Sequence, residues 1–273
     1  MLDVDQDALS VAGEAAKDAG EAAAKRPVLL ILHQKHSTPG HIGNVLRAQG
    51  HVLDIRRPRF GDPLPATLSG HDGAVIFGGP MSANDPDDYI KREIDWINVA
   101  LEERAPFLGV CLGGQMLAKT LGGDVSRNAA AHVEIGYHDI APHAQVFDEG
   151  DWPERVYQWH NEGFSVPDGA EPLARGCNAF PNQAFRVGPT AVGIQFHPEI
   201  TYAMVARWSG HNPEKLLQAG AQERSAQMRD HIANAPKVLG WLDRFLSAWV
   251  AEGRRVRSDR SVGVQTRLLI NAA

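Results

Sequence analysis

Apolar positions along this chain fall into two alternating rhythms. Val28–Leu32 is an unbroken apolar run, the mark of a strand buried on both faces. After a polar loop with Pro39 and Gly40, the residues Ile42, Val45, Leu46 and Ala48 recur at helical spacing up to Gly50. His51–Ile55 reads as a second strand. Gly73–Phe77 reads as a third, closed by Gly78-Gly79-Pro80. A helix follows through Ile90, Ile94, Ile97 and Leu101, with Asp87 at its N-cap. Pro106–Val110 is the fourth strand, and it runs into a short helix, Leu112–Leu121, ended by Gly122-Gly123. Alternation of this kind predicts an α/β fold, a doubly wound and mainly parallel sheet with helices on both faces.

From about 132 to 195 the rhythm changes to short strands: Val133–Tyr137, Arg155–Trp159, Gln183–Val187 and Ala191–Gln195. Helical spacing returns at Tyr202–Trp208. It is strongest from Ala235 to Val250, where Val238, Leu239, Leu242, Phe245, Leu246 and Trp249 share a face.

Composition works mainly by exclusion. The chain has 273 residues, and at about 150 residues per domain that leaves one large domain or two small ones. No repeat or long linker divides it, so 27–252 is read as one domain. Residues 1–26 are Ala-rich and acidic, which predicts a poorly ordered lead-in. Residues 253–273 begin with an arginine run, Arg254, Arg255, Arg257 and Arg260, which predicts a solvated tail. Lys plus Arg number 27 against 33 Asp plus Glu, a net charge of −6. That balance argues against nucleic acid or an anionic membrane as partner. No stretch reaches the ~18 apolar residues that a membrane span needs. The two cysteines, Cys111 and Cys177, are too few for a disulfide framework, and the expected compartment is the reducing cytoplasm.

The informative segment is Pro106-Phe-Leu-Gly-Val-Cys-Leu-Gly-Gly-Gln-Met116. A buried strand meets a Gly-x-Cys-x-Gly turn and a helix starts directly after. Gly109, Cys111 and Gly113 have the spacing of a nucleophile elbow with sulfur in place of oxygen. The sharp turn pushes the side chain out at the carboxyl end of the sheet. The helix N-terminus behind it favours the thiolate, which is the reactive form. A buried structural cysteine is the bland alternative, and the flanking glycines count against it.

A cysteine nucleophile needs a base and a group to orient that base. Gly193-Ile-Gln-Phe-His-Pro-Glu199 supplies His197 and Glu199 two residues apart. On an extended chain such residues point the same way, and Pro198 keeps the segment out of a helix. Acyl chemistry also needs N–H donors for the oxyanion. Leu112, just after the cysteine, and Gly79, in the loop after a neighbouring strand, are the candidates. His33, His36 and His41 fall in the loop after the first strand, near the expected active face, and are candidates to contact substrate or a metal. No Cys or carboxylate accompanies them at metal spacing, so the plainer reading is exposed loop histidines, and neither metal nor cofactor is expected. Trp152, Trp159 and Trp208 fit either a pocket wall or the core.

Together these residues resemble the class I, triad-type glutamine amidotransferase family, in its GMP-synthase-like branch. Gly109-Val-Cys-Leu-Gly-Gly-Gln115 resembles the family's elbow, Gln195-Phe-His-Pro-Glu199 its His-Pro-Glu end, and Gly78-Gly79-Pro80-Met81-Ser82 its oxyanion loop. The resemblance implies a flavodoxin-like sheet. It implies Cys111 as nucleophile, His197 as proton shuttle, Glu199 as its orienting group, and Gly79 and Leu112 as the oxyanion hole. Gln115 and His160 would contact the substrate, a glutamine or other γ-glutamyl compound, and the reaction would pass through a γ-glutamyl thioester to glutamate and ammonia. Two departures stand out. The family's His-Gly-Asp segment reads here Trp159-His160-Asn161-Glu162-Gly163, and Gly114 replaces a larger apolar residue. No Gly-rich pyrophosphatase loop follows. The expected protein therefore either feeds ammonia to a separate synthase subunit or acts alone on γ-glutamyl amines or peptides. A binding or regulatory protein with an idle triad is the reading from a different class.

Overall fold

The computed structural model describes residues 25–142 and 152–270, with side chains as far as 259. The order is β1 (Val28–Ile31), α1 (Gly40–Ala48), β2 (Leu53–Arg56), β3 (Gly73–Ile76), α2 (Asp88–Glu103), β4 (Phe107–Val110) and α3 (Leu112–Thr120). Then come β5 (Val125–Arg127), β6 (Glu134–Pro142), β7 (Arg155–His160), β8 (Glu162–Phe164), β9 (Glu171–Gly176), β10 (Asn182–Val187) and β11 (Ala191–Ile194). Helices α4 (Tyr202–His211) and α5 (Arg224–Ile270) close the chain.

Nine strands form one sheet in the order β2-β1-β3-β4-β11-β10-β9-β6-β7. The strands from β2 to β11 pair in parallel. The next four, β10, β9, β6 and β7, are antiparallel to their neighbours. The alternating part of the sequence is thus the parallel half, and the short middle strands extend the same sheet with the opposite pairing.

Strand side chains point alternately to the two faces, and β1 displays this directly. Val28, Leu30 and Leu32 pack with Ile42 and Leu46 of α1 and with Trp241, Phe245 and Trp249 of α5. Leu29 and Ile31 pack on the other side with Ile90 and Ile97 of α2 and Met116 of α3. The apolar stripes of the helices thus cover both faces of the parallel half. Asp87 stands at the N-cap of α2, but its side chain makes no capping bond. At the end of α3, Gly122 takes φ +82° and Gly123 N–H returns to Ala118 O at 2.8 Å, a glycine C-cap.

Three strands and half a helix escape the sequence pattern. The strand β9 reads Glu-Pro-Leu-Ala-Arg-Gly, without alternation. Helix α5 begins at Arg224 rather than Ala235 and runs through Pro236. The buried residues of its first turns, Gln227 and His231, are polar, so no apolar stripe announces them. The same helix runs on past 252 into the segment expected to be a solvated tail. There Arg254 pairs with Asp72, Arg257 donates to His71 O at 2.6 Å, and Val256 is buried. The expected lead-in lies outside the described residues except for Lys25 and Arg26. Among the described residues no helix is long and apolar enough to cross a membrane.

Candidate active site

The ends of four adjacent parallel strands build the site. In the order β1, β3, β4, β11, the residues just past their carboxyl ends are His33, Gly78-Gly79, Cys111 and His197. Ligands of open parallel sheets gather at that edge.

Cys111 has φ +51° and ψ −105°, a region that a side-chain-bearing residue occupies only under constraint. The constraint is visible on both sides. Its N–H donates to Ile194 O of β11 at 2.8 Å, and its carbonyl accepts from Gln115 N–H at 2.9 Å. The glycines two before and two after let α3 cross tightly. A Cβ on Gly109 would stand 2.4 Å from the Gly113 backbone, and one on Gly113 would stand 2.1 Å from Ile76 O. Gly114 is equally confined, since its Cβ would lie 2.7 Å from Ile194 O. A side chain at position 114 therefore has no room here. Cys177, by contrast, is exposed and away from this geometry.

His197 is held from several directions. Its backbone N–H donates to Tyr157 O at 2.9 Å, and its ring lies edge-on to Trp208 at 5.2 Å. Nδ1 and Glu199 Oε1 are 2.8 Å apart, both side chains buried. Glu199 is fixed in turn through its carbonyl, which accepts from His41 N–H at 2.8 Å. Among the described residues His197 Nε2 has no hydrogen-bond partner. Burial by itself pulls the imidazole pKa down. The charges of Glu199 and Cys111, with the hydrogen bond to Glu199, outweigh it and raise the pKa to about 10. Cys111 and His197 also share a neighbour, for a Cβ on Gly78 would meet both.

Cys111, His197 and Glu199 line one cavity of about 290 Å³, together with Gly79, Leu112, Gln115 and His160. The structure thus brings together the seven residues singled out in the sequence. Leu112 opens α3, so its N–H has no partner within the helix. Gln115 Nε2 is committed to Glu162 O at 2.9 Å and Gln195 Oε1 at 3.3 Å. His160 Nδ1 donates to Glu162 O at 2.9 Å, while Nε2 faces Gln158 Oε1 at 3.1 Å and Glu134 Oε2 at 3.2 Å. Burial pushes the Glu134 carboxyl up, but the His160 and Gln183 contacts hold it below its usual range. Gln115 and His160 therefore serve the walls of the cavity through a buried polar network. Trp159 and Trp208 line the cavity, whereas Trp152 is buried in the core against Phe196 and Trp241.

Two other residues here, Gln195 and Glu162, were assigned no role from the sequence. Gln195 is fully buried, with Nε2 3.6 Å from Cys111 Sγ. Its signal was available, since Gln195, His197 and Glu199 alternate along one extended segment. Glu162 lines the cavity, and its carboxylate accepts from Ser82 Oγ of the Gly78–Ser82 loop at 2.7 Å. His33, expected in an exposed loop, is buried and paired with Glu93. His36 is exposed and His41 is half-buried. Among the described residues no group of three or more His, Cys, Asp or Glu is placed to hold a metal ion.

The family model for class-I glutamine amidotransferases matches residues 41–204, more than half of the chain. The chain belongs to the class-I glutamine amidotransferase family. This amidotransferase-family chain is 28% identical over 228 residues to the glutamine amidotransferase-like protein YfeJ of Salmonella typhimurium, covering 78% of this chain and 90% of that one. It is 35% identical over 136 residues to a glutamine-hydrolyzing GMP synthase of Thermomicrobium roseum. That match covers 48% of this chain and only 24% of the synthase. Among solved structures, a glutamine amido transferase from Methylobacillus flagellatus superposes with a TM-score of 0.77 at 31% identity, covering 84% and 96% of the two chains.

Proposed function

We propose that this protein hydrolyses the γ-amide of glutamine with Cys111 as nucleophile, His197 as proton carrier and Glu199 as the group that orients it. The observation that carries this reading is the strained backbone of Cys111 at the mouth of α3, opening into the cavity that His197 and its bonded Glu199 also line. A volume of about 290 Å³ suits a small-molecule substrate, at the lower end of the roughly 300–1,000 Å³ usual for ligand sites. Glu162 supplies one carboxylate to its wall and Arg207 and Lys215 two cations, a charge pattern that complements an amino-acid zwitterion.

In this mechanism Sγ attacks the amide carbon and the carbonyl oxygen becomes an oxyanion. The N–H groups of Gly79 and Leu112 receive that charge. His197 gives a proton from Nε2 to the leaving nitrogen, the C–N bond breaks and ammonia departs. A γ-glutamyl thioester remains on Cys111. Water then attacks the same carbon as His197 accepts its proton, and the C–S bond breaks to release glutamate. Ammonia made this way suits a separate synthase subunit as partner.

A second reading uses the same residues on a γ-glutamyl amine. The aromatic wall of Trp159 and Trp208, 5.8 Å apart in an edge contact, favours it by offering an apolar amine a place to pack. One experiment separates the readings. Purified protein is given glutamine and a panel of γ-glutamyl amines, with Cys111→Ala as control. Cys111-dependent ammonia from glutamine supports the first reading, and preference for the amines supports the second. No turnover, with no labelling of Cys111 by a glutamine-analogue electrophile, overturns both in favour of a binding role.

A further inference from the structure

The Gly78-Gly79 peptide raises a physical problem that the site residues described so far do not solve. A peptide between two glycines has no Cβ on either side to resist rotation, so its plane flips at little cost. An oxyanion donor must nevertheless be aimed before the charge develops. Something has to hold this plane.

His33 is in place to do so. Its Nδ1 lies 3.2 Å from Gly78 O. A carbonyl can only accept, so Nδ1 carries a proton and donates. The imidazole also flanks the next residue, for a Cβ on Gly79 would stand 3.1 Å from His33 Cβ and 3.3 Å from Nδ1. The other ring nitrogen, Nε2, is 2.8 Å from Glu93 Oε2, and both side chains are 0% exposed.

Glu93 does not belong to the stripe it occupies. The buried face of α2 is Ile90, Glu93, Trp96, Ile97 and Ala100. An apolar residue at 93 would pack there without desolvating a carboxylate, and buried pairs of this kind add little net stability. The pair is better explained by orientation: Glu93 fixes the imidazole, and the imidazole fixes the carbonyl.

No cis peptide occurs among the described residues. In a trans peptide the C=O and the following N–H point in opposite directions. With Gly78 C=O turned toward His33, the Gly79 N–H faces away from it. Gly78 has Cys111 and His197 on its other flank, since a Cβ there would lie 2.8 Å from His197 Cε1 and 3.4 Å from Cys111 Cβ. We infer that His33, held by Glu93, is a positioning residue that locks the Gly78-Gly79 peptide with its N–H toward Cys111, so that the oxyanion donor is set before substrate arrives. This rests on the hydrolase reading above.

The test compares His33→Asn with His33→Gln. An Asn amide nitrogen falls near the place of Nδ1 and keeps a donor for Gly78 O. A Gln amide reaches toward Nε2, keeps a partner for Glu93 and loses that donor. Two rates are measured on the full chain. One is kcat on whichever γ-glutamyl amide the wild type turns over. The other is alkylation of Cys111 by iodoacetamide, a displacement that forms no oxyanion. His33→Gln is expected to lose about a hundredfold in kcat, the usual consequence of removing one oxyanion donor, with its alkylation rate and pH profile unchanged. His33→Asn is expected to keep most of the wild-type kcat. Equal kcat in all three proteins, equal loss in both variants, or a parallel loss of alkylation overturns the inference. If the wild type turns over no γ-glutamyl amide, the hydrolase reading has failed, and the aldehyde analogue of glutamine replaces turnover. It forms a hemithioacetal on Cys111 whose oxygen occupies the same hole. Weaker binding to His33→Gln than to His33→Asn then supports the locked peptide, and equal binding overturns it.

Discussion

Gly78 lies so close to His197 that a Cβ on it would stand 2.8 Å from the imidazole Cε1. No real Cβ contact is that short, so the ring would have to move. The ring is fixed on its other sides by Glu199 and Trp208, and its displacement would move it relative to Cys111, which the proposed mechanism does not tolerate. Gly78→Ala should therefore fold, with a melting temperature within a few degrees of wild type, and lose about a hundredfold in kcat, the scale of a 1 Å misplacement. The two measurements together check it. Unchanged turnover would mean that His197 need not stay where it is.

The charge on His197 gives a pH signature. Its raised pKa, about 10 against an ordinary 6.5, means that the folded protein holds a proton the unfolded chain releases between those values. Stability from this site is complete below pH 6.5, declines as pH rises through the window and is gone above about 10. The melting-temperature difference between wild type and His197→Gln should shrink over that range. In Cys111→Ala the raising influence of Cys111 disappears while burial still opposes the charge. The His197 Cε1–H resonance should then titrate at lower pH than in wild type. A titration left near 10 would show that Glu199 alone holds the proton.

Gln195 offers a test of how the sulfur is held. Its Nε2 is 3.6 Å from Sγ, and its Oε1 accepts from Gln115. A hydrogen bond to a charged acceptor is worth about 1.5–3 kcal/mol, so Gln195→Leu should slow Cys111 alkylation at neutral pH by at least about tenfold. The readout is the alkylation rate at fixed pH beside the melting temperature. An unchanged rate would leave Gln195 with a purely packing role.

What could be read in the sequence was what chemistry requires to be contiguous. The elbow around Cys111 is legible because a strand, a tight turn and a helix must meet within a few residues. His197 and Glu199 are legible because an extended segment aims i and i+2 alike, and Gln195 belongs to the same register. The inner parallel strands β1, β3, β4 and β11 are legible because burial on both faces makes them continuous apolar runs. His33 and Glu93 were not legible as a pair. They lie 60 residues apart, and only the packing of α2 on the sheet joins them. The first turns of α5 escaped because their buried residues, Gln227 and His231, bond to Tyr157 and Tyr137 rather than packing as a stripe. The antiparallel strand β9 escaped because Pro172 and Arg175 interrupt any period of two.

Asp72 joins the first described residues and the C-terminal half of α5 to the sheet. Its carboxylate accepts from Arg26 N–H at 3.0 Å, pairs with Arg254 and lies 3.5 Å from His51 Nδ1. Arg26 adds a bond from its guanidinium to Ser69 O at 2.7 Å. The expected domain limits at 26 and 252 thus cut through a cluster that the protein uses. Removing one partner of a fully buried ion pair costs about 3–5 kcal/mol. Here the Arg254 side chain is 40% exposed against 5% for Asp72, so water recovers part of that loss. Asp72→Ala should destabilise by about 2–3 kcal/mol, measured as a lower urea midpoint at unchanged slope. A chain ended at 252 should lose at least as much, because it also removes Val256 and the Arg257 bond to His71 O. Full stability in that truncated chain would mean that the end of α5 rests on the domain without holding it.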